Sequence, residues 1–360
     1  MEENACLSFS LCKGVGPKTF LKLVRHFGSA QNAWNAFDLE SAKEVGIGEK
    51  TYLKFDTSRK ELDIEDYLLK INRAKVSIIG FTNLLYPQSL KVLESPPIVL
   101  FCKGDVELLK HLQNIGIVGA RKITSYGKDV TQNLTSDLVA NNFCIVSGLA
   151  FGVDAIAHKT ALEHKGKTIA VLGCGVDCVT PLENERLYEE ILDKGGLIVS
   201  EYRLGLPPSA GSFPARNRII AALSLGVLVT EAAEDSGSLI TAEEALKLGK
   251  PVFAVPGSIN SQMSRGTLKL LKQGAHIVTS ANDILEDLEI KPRDFSKSEL
   301  DLSRFSENEN LILELIQQEP LSMDEISKQT KIPVHKLLGI VSNLELQGIV
   351  KNNGGEVGII

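Results

Sequence analysis

Five short turns rich in glycine and serine carry the groups best placed to do chemistry. They read Gly119-Ala120-Arg121, Ser147-Gly148, Gly173-Cys174-Gly175, Ser236-Gly237-Ser238 and Pro256-Gly257-Ser258. Each follows an apolar run and precedes a helical pattern. Free backbone N–H groups beside helix N-termini attract anions, and small residues let a ligand backbone come close. Arg121 falls inside the first turn, where a guanidinium can grip a phosphate through two parallel hydrogen bonds. The alternative for Arg121 is a structural pair with a carboxylate. Phe213-Pro214-Ala215-Arg216-Asn217-Arg218 then sets an aromatic ring beside two arginines and an amide. That grouping suits base stacking and phosphate holding. The plainer reading makes Phe213 core and has the arginines cap or pair.

Acid–base and metal chemistry have weaker signals. Asp154 and His158 are spaced i, i+4 on one helical face and could form an acid–base pair, although such pairs more often support the helix locally. No serine or cysteine is placed beside them as a nucleophile. Glu201 and Glu231 follow strands, where they can accept hydrogen bonds from turns or arginines. Cys174 and Cys178 are the closest approach to a zinc pair, but no second pair completes them, so small buried residues are expected and no metal site. No Gly-x-Gly-x-x-Gly follows Val118, and the next strand ends Val146-Ser147-Gly148 without a ribose-binding acid. A dinucleotide cofactor is therefore not expected, nor any other cofactor.

These turns need strands to hold them. Apolar runs at 76–79, 98–101, 115–118, 144–147, 168–172, 197–200, 227–230, 252–255 and 277–279 alternate with helical stretches. The pattern predicts an α/β, doubly wound, mainly parallel sheet, with the turns converging at the strand carboxyl ends. Ahead of it, residues 1–70 predict a helical domain. There Gly14-Val15-Gly16 and Gly46-Ile47-Gly48 carry a helix-hairpin-helix signature. Those glycines either present N–H groups to a phosphate or serve only the turn. Residues 71–288 form the sheet domain. A linker is expected over 289–308, then a winged-helix domain over 309–360, with Ser322 and Glu325 as a capping box and a hairpin around Gly354-Gly355.

The whole chain of 360 residues has net charge −6, 43% hydrophobic residues and no apolar run of membrane-spanning length, so a cytoplasmic protein without a membrane partner is expected. The charge is uneven: residues 296–360 hold 6 Lys+Arg against 10 Asp+Glu.

Several motifs occur in one order: Gly119-Ala120-Arg121 with Tyr126-Gly127, Ser147-Gly148 with Asp154 and His158, Ser200-Glu201, Phe213 to Ile220, Ser236 to Ala242, and Val255-Pro256-Gly257. Over residues 80–285 the chain resembles the bacterial DNA-processing protein A (DprA, or Smf) family. The resemblance implies an extended Rossmann-like domain that binds single-stranded DNA and self-associates as a homodimer. It implies loading of RecA onto DNA entering during natural transformation, with displacement or bypass of single-strand-binding protein; a non-enzymatic recombination mediator is therefore expected. A helical N-terminal (helix-hairpin-helix or SAM-like) domain and a winged helix are implied at the ends. The expected DNA-binding residues are Gly119, Arg121, Ser147, Gly148, Phe213, Arg216, Asn217, Arg218, Ser236, Gly237 and Ser238. One departure is Ser209-Ala210-Gly211-Ser212, where family members often carry a basic residue. Two rivals remain: a nucleotide hydrolase of a related Rossmann-like group, against which the absence of a Pro-Gly-Gly-x-Gly-Thr loop argues, and a small-nucleotide sensor.

Overall fold

Apolar residues alternate along the strands toward two covered faces, as a sheet buried on both sides requires. In β3 (Asn114–Val118), Ile115 and Ile117 enter one core and Val118 another. The computed structural model describes residues 2–293, 305–316, 320–347, 349–353 and 355–359. It divides into two compact units, Met1–Lys291 and Pro292–Ile360. The linker expected over 289–308 lies largely outside the described residues.

The first unit holds a nine-stranded sheet. With β3 its strands are β1 (Ser77–Gly80), β2 (Val99–Gly104), β4 (Cys144–Ser147), β5 (Thr168–Val171), β6 (Leu197–Ser200), β7 (Val227–Val229), β8 (Val252–Ala254) and β9 (His276–Ile277). Their order is β1-β2-β6-β5-β4-β3-β7-β8-β9. All pairs from β6 to β9 are parallel, while β2 runs antiparallel to both β1 and β6. The chain winds outward from β3 to β6, then restarts on the other side of β3 with β7. The strand order therefore reverses between β3 and β7, which is where doubly wound sheets open a crevice.

Helices Ser212–Leu223 and Ser238–Lys247 cover one face, with Ile219, Ile220, Leu239 and Ala242 buried against Val118, Val146 and Val229. Helices Ser125–Ala140, Val153–Glu163 and Ala281–Asp287 cover the other. Six N-terminal helices between Glu2 and Arg73 extend that second face. Phe9, Phe20, Phe37 and Phe55 join Phe101, Ala170 and Ile198 in one core, so the boundary expected near residue 70 falls within shared packing. Gly14 adopts φ +92, and a Cβ there would meet the Thr51 carbonyl oxygen at 2.7 Å. Lys13 N–H donates to Ser58 Oγ at 3.1 Å, so this Gly-x-Gly turn seats the first hairpin on helix Glu49–Glu61.

The second unit has helices Glu307–Ile316, Met323–Thr330 and Val334–Leu346 and a sheet of β10 (Leu321–Ser322), β12 (Glu356–Ile359) and β11 (Val350–Asn353) in that order. The expected capping box is present: Ser322 Oγ accepts from Glu325 N–H while the Glu325 carboxylate accepts from Ser322 N–H. Its core joins Ile312, Ile326, Leu337, Val341, Leu344, Val350 and Val357. Strand β10 lies outside the sequence expectation, since two residues give no periodic signal.

Candidate nucleic-acid interface

At the β3/β7 reversal lies a cavity of about 630 Å³. Its wall comes from the turn after β3 (Gly119 to Lys122), the turn after β7 (Ser236 to Ser238) and the start of helix Ser212–Leu223 (Phe213, Arg216, Asn217). The N-termini of helices Ser212–Leu223, Val153–Glu163 and Ser238–Lys247 open on the same rim, which favours negative charge there.

Arg121 and Lys122 are exposed at the mouth. The Arg121 guanidinium carbon stands 5.4 Å from the Phe213 ring centroid, within cation–π range. Phe213 is half-buried, neither core nor free. The turn is rigid because Glu231, 2% exposed, holds it at several points. Its carboxylate accepts from Thr124 N–H at 2.8 Å and Thr124 Oγ–H at 2.6 Å, and its backbone carbonyl accepts from Ala120 N–H at 2.7 Å. A Cβ on Gly119 would meet Val153 Cγ2 at 2.5 Å and the Glu231 carbonyl at 2.6 Å, so only glycine fits.

Arg216 is not presented to the cavity as a free cation. It is 4% exposed, and Nη1 donates to the carbonyls of Gly148 and Val171 while Nε donates to Asn217 Oδ1 at 3.0 Å. Its Nη2 stands 3.9 Å from Asp154 Oδ2. Asn217 in turn donates to the Gly237 carbonyl at 3.3 Å, tying the helix to the 236–238 turn. Arg218 does not reach the cavity: it pairs with Glu201, and both side chains are largely buried. The turn Ser147-Gly148 likewise departs from expectation. Ser147 is fully buried and donates to the Ile117 carbonyl at 2.6 Å. The N–H groups of Gly148 and Ala150 donate to Asp154, and that of Leu149 donates to His158 Nε2. These amides are spent within the fold and are not offered to a ligand.

The same contacts decide the Asp154–His158 question. His158 Nδ1 lies 2.6 Å from Thr168 Oγ1, whose hydroxyl donates to the Ile145 carbonyl. Nδ1 therefore carries the proton and Nε2 accepts, and both nitrogens are engaged. Burial, helped by the Arg216 charge, pushes the imidazole down to about 3, so it stays neutral. Burial also pushes the Asp154 carboxyl up, with Arg216 drawing it back. The pair braces a turn, and the nearest hydroxyl, that of Ser147 beside Asp154, is fully buried and donates to the Ile117 carbonyl. Among the described residues no group of three or more His, Cys, Asp or Glu is placed to hold a metal ion, and Cys174 is buried with its thiol on the Cys178 carbonyl.

Of the residues expected to bind DNA, Gly119, Arg121, Phe213, Asn217 and the 236–238 turn line the cavity; Arg216 lines it with its guanidinium held by the fold, and Ser147, Gly148 and Arg218 do not line it. Sequence reasoning missed Lys122, Ala150, Ile220, Thr241 and Met263 on the wall. Ile220 and Thr241 sit one helical turn beyond Asn217 and Ser238, so helical periodicity carried that signal. Met263, in a 3-10 turn after β8, carried none. Ala210 lines the cavity in the stretch that lacks the family's basic residue.

The fold and cavity define a doubly wound protein whose strand-end crevice combines an exposed guanidinium, an aromatic ring and helix N-termini. The DNA recombination-mediator protein A family matches residues 77–289, and the DprA winged helix domain matches residues 296–356. The chain belongs to the DprA family, and so to proteins of DNA processing and recombination. It is 35% identical to Protein Smf of Synechocystis over 98% of both chains. It is 44% identical to the DNA processing protein DprA of Bacillus subtilis over 59% of this chain and 71% of that one. The crystal structure of Streptococcus pneumoniae DprA is similar at TM-score 0.71 and 34% identity, covering 81% of this chain and 99% of that one. DNA processing protein A from Helicobacter pylori, described for its single-stranded DNA binding mode, is similar at TM-score 0.54 and 36% identity, covering 60% and 96%.

Proposed function

We propose that this chain binds single-stranded DNA in the β3/β7 cavity and acts, without catalysing a reaction, as a recombination mediator. In this reading a homodimer loads RecA onto incoming DNA, displaces or bypasses single-strand-binding protein and works in the cytoplasm during natural transformation. The observation that carries it is the Arg121 guanidinium over the Phe213 ring at the mouth of a cavity set on helix N-termini. A base stacks on the ring or the guanidinium plane while Arg121 and Lys122 take phosphates. Lys122 supplies the cation that Ala210 does not. The amide of Gly237 and the hydroxyls of Ser236 and Ser238 complete the phosphate side. Arg216 and Asn217 position the wall without touching DNA, and Asp154 and His158 brace the neighbouring turn, so neither is free to activate a water as general base. The test is a salt titration of binding to single-stranded and duplex oligonucleotides of the same sequence. Preference for the single strand, with a negative salt slope, is expected. Equal affinity for duplex, or saturable binding of a mononucleotide with none of the oligonucleotide, overturns the reading.

A further inference from the structure

Beside the DNA cavity lies a second one of about 470 Å³ that the reading above leaves unused. The two are separated by two segments that give residues to both. From the turn after β3, Arg121 and Lys122 face the first cavity and Thr124 the second. From the turn after β8, Met263 faces the first and Ser261 and Ser264 the second.

The chemistry of the second cavity differs. No lysine or arginine lines it. Glu231 does, with both carboxylate oxygens already accepting from Thr124. A buried carboxylate without a neighbouring cation repels phosphate. The hydroxyls of Ser258, Ser261 and Ser264 line it; Ser258 Oγ accepts from Asn260 N–H at 3.3 Å and keeps its own proton to donate, and Ser264 is buried at the back, so together they suit the edge of a neutral polar group. At its rim stands Tyr126. Its hydroxyl donates to the Pro256 carbonyl at 2.7 Å, which fixes the ring, yet the residue is 49% exposed. A held and solvent-facing aromatic ring is a stacking platform. Ile259, 81% exposed in the same loop as Pro256, adds apolar surface nearby.

We infer that the second cavity is a base station for a further nucleotide of the same single strand, with Tyr126 stacking on the base and the serine hydroxyls meeting its polar edge. The inference rests on the proposed DNA site. The strand would pass over the Arg121–Thr124 turn, its phosphate on Arg121 and Lys122 and its bases to either side.

Oligothymidylates graded from about 4 to about 16 nucleotides test this, since that range spans the site sizes of such grooves. Wild-type affinity is expected to rise with length. Tyr126→Ala is expected to lose about tenfold on the long strands and nothing on the short ones, the size of one lost base stack. Arg121→Ala is expected to lose affinity at every length. Tyr126→Trp should show indole quenching with long strands only, and Tyr126→Phe, which keeps the ring but not its tether, should fall between. Thermal melts confirm that each variant is folded. An unchanged length dependence in Tyr126→Ala overturns the second station while leaving the first cavity intact. Equal loss at all lengths also overturns it, because Tyr126 would then serve the first cavity. Wild-type protein that binds no single strand removes the DNA reading and this one together.

Discussion

Two arginines on the same wall have opposite environments, and that separates binding from bracing. Arg121 is exposed, with its guanidinium over the face of Phe213. Arg121→Ala should leave the melting temperature unchanged and weaken single-stranded DNA binding about equally for all sequences. The salt slope should flatten by about 0.7 for each phosphate the protein no longer neutralises. Phe213→Ala should cost about 1–3 kcal/mol of binding with the slope intact. A folded Arg121→Ala protein with unaltered affinity and slope would remove that residue from the interface. Arg216, by contrast, is buried and faces the Asp154 carboxylate. Truncating one partner of a buried pair leaves the other uncompensated, so Arg216→Ala should lose about 3–5 kcal/mol of stability by urea titration. Its DNA affinity per folded molecule should change far less than that of Arg121→Ala. Sequence position revealed that arginines gather at this rim. It did not reveal which one is free, because Asp154, Gly148 and Val171, which claim Arg216, lie 45 to 68 residues away along the chain.

At the scale of elements, the rim is a set of turns whose rigidity comes from buried acceptors. The turn 148–150 hangs on Asp154 and His158, and the turn after β3 hangs on Glu231. His158 gives the first of these a pH dependence. Its folded value, about 3, lies below the unfolded value of about 6.5, so the folded state holds the neutral ring and the unfolded state binds the extra proton. The stability it contributes is present above about pH 6.5 and falls by about 1.4 kcal/mol per unit as the pH drops from there toward 3. Asp154, whose carboxyl burial pushes up, has the opposite sign and gains as pH falls. Comparing wild type with His158→Gln by denaturant titration at pH 7 and pH 5 isolates the histidine. An identical pH slope in both proteins would contradict a buried neutral ring. All nine sheet strands were legible as apolar runs, and so was the box that starts helix Met323–Thr330. The antiparallel course of β2 was not, since a strand's direction leaves no mark on its composition. Nor did the spent amides of the 148–150 turn show in sequence. Glycine and serine predict a tight turn, but whether its N–H groups face a ligand or a carboxylate depends on tertiary contacts.

At the scale of the whole molecule, the net charge of −6 confines any attraction for nucleic acid to local sites, and the second unit is the acidic part. A helix that reads duplex DNA enters the major groove with Arg, Lys, Asn or Gln along its exposed side. On helix Val334–Leu346 the exposed polar residues include His335, Lys336 and Asn343, with Glu345 beside them, and the helix contains no arginine. Leu337, Val341 and Leu344 are consumed by the core, whereas Leu338 is 51% exposed and Leu311, on the first helix of this unit, 45%. Exposed leucines on an acidic module suit a protein surface better than a phosphate backbone. The three cores of the first unit draw on no described residue beyond Ile290. Deleting residues 296–360 should therefore leave single-stranded DNA affinity within a few-fold of the full chain, with the same salt slope. Two results would defeat this expectation: binding of duplex DNA by the isolated segment at physiological salt, or loss of single-strand binding in a truncated chain that melts as the full one does and keeps its oligomeric state. In the first case the winged helix reads DNA despite its charge. In the second the segment is required for single-strand binding.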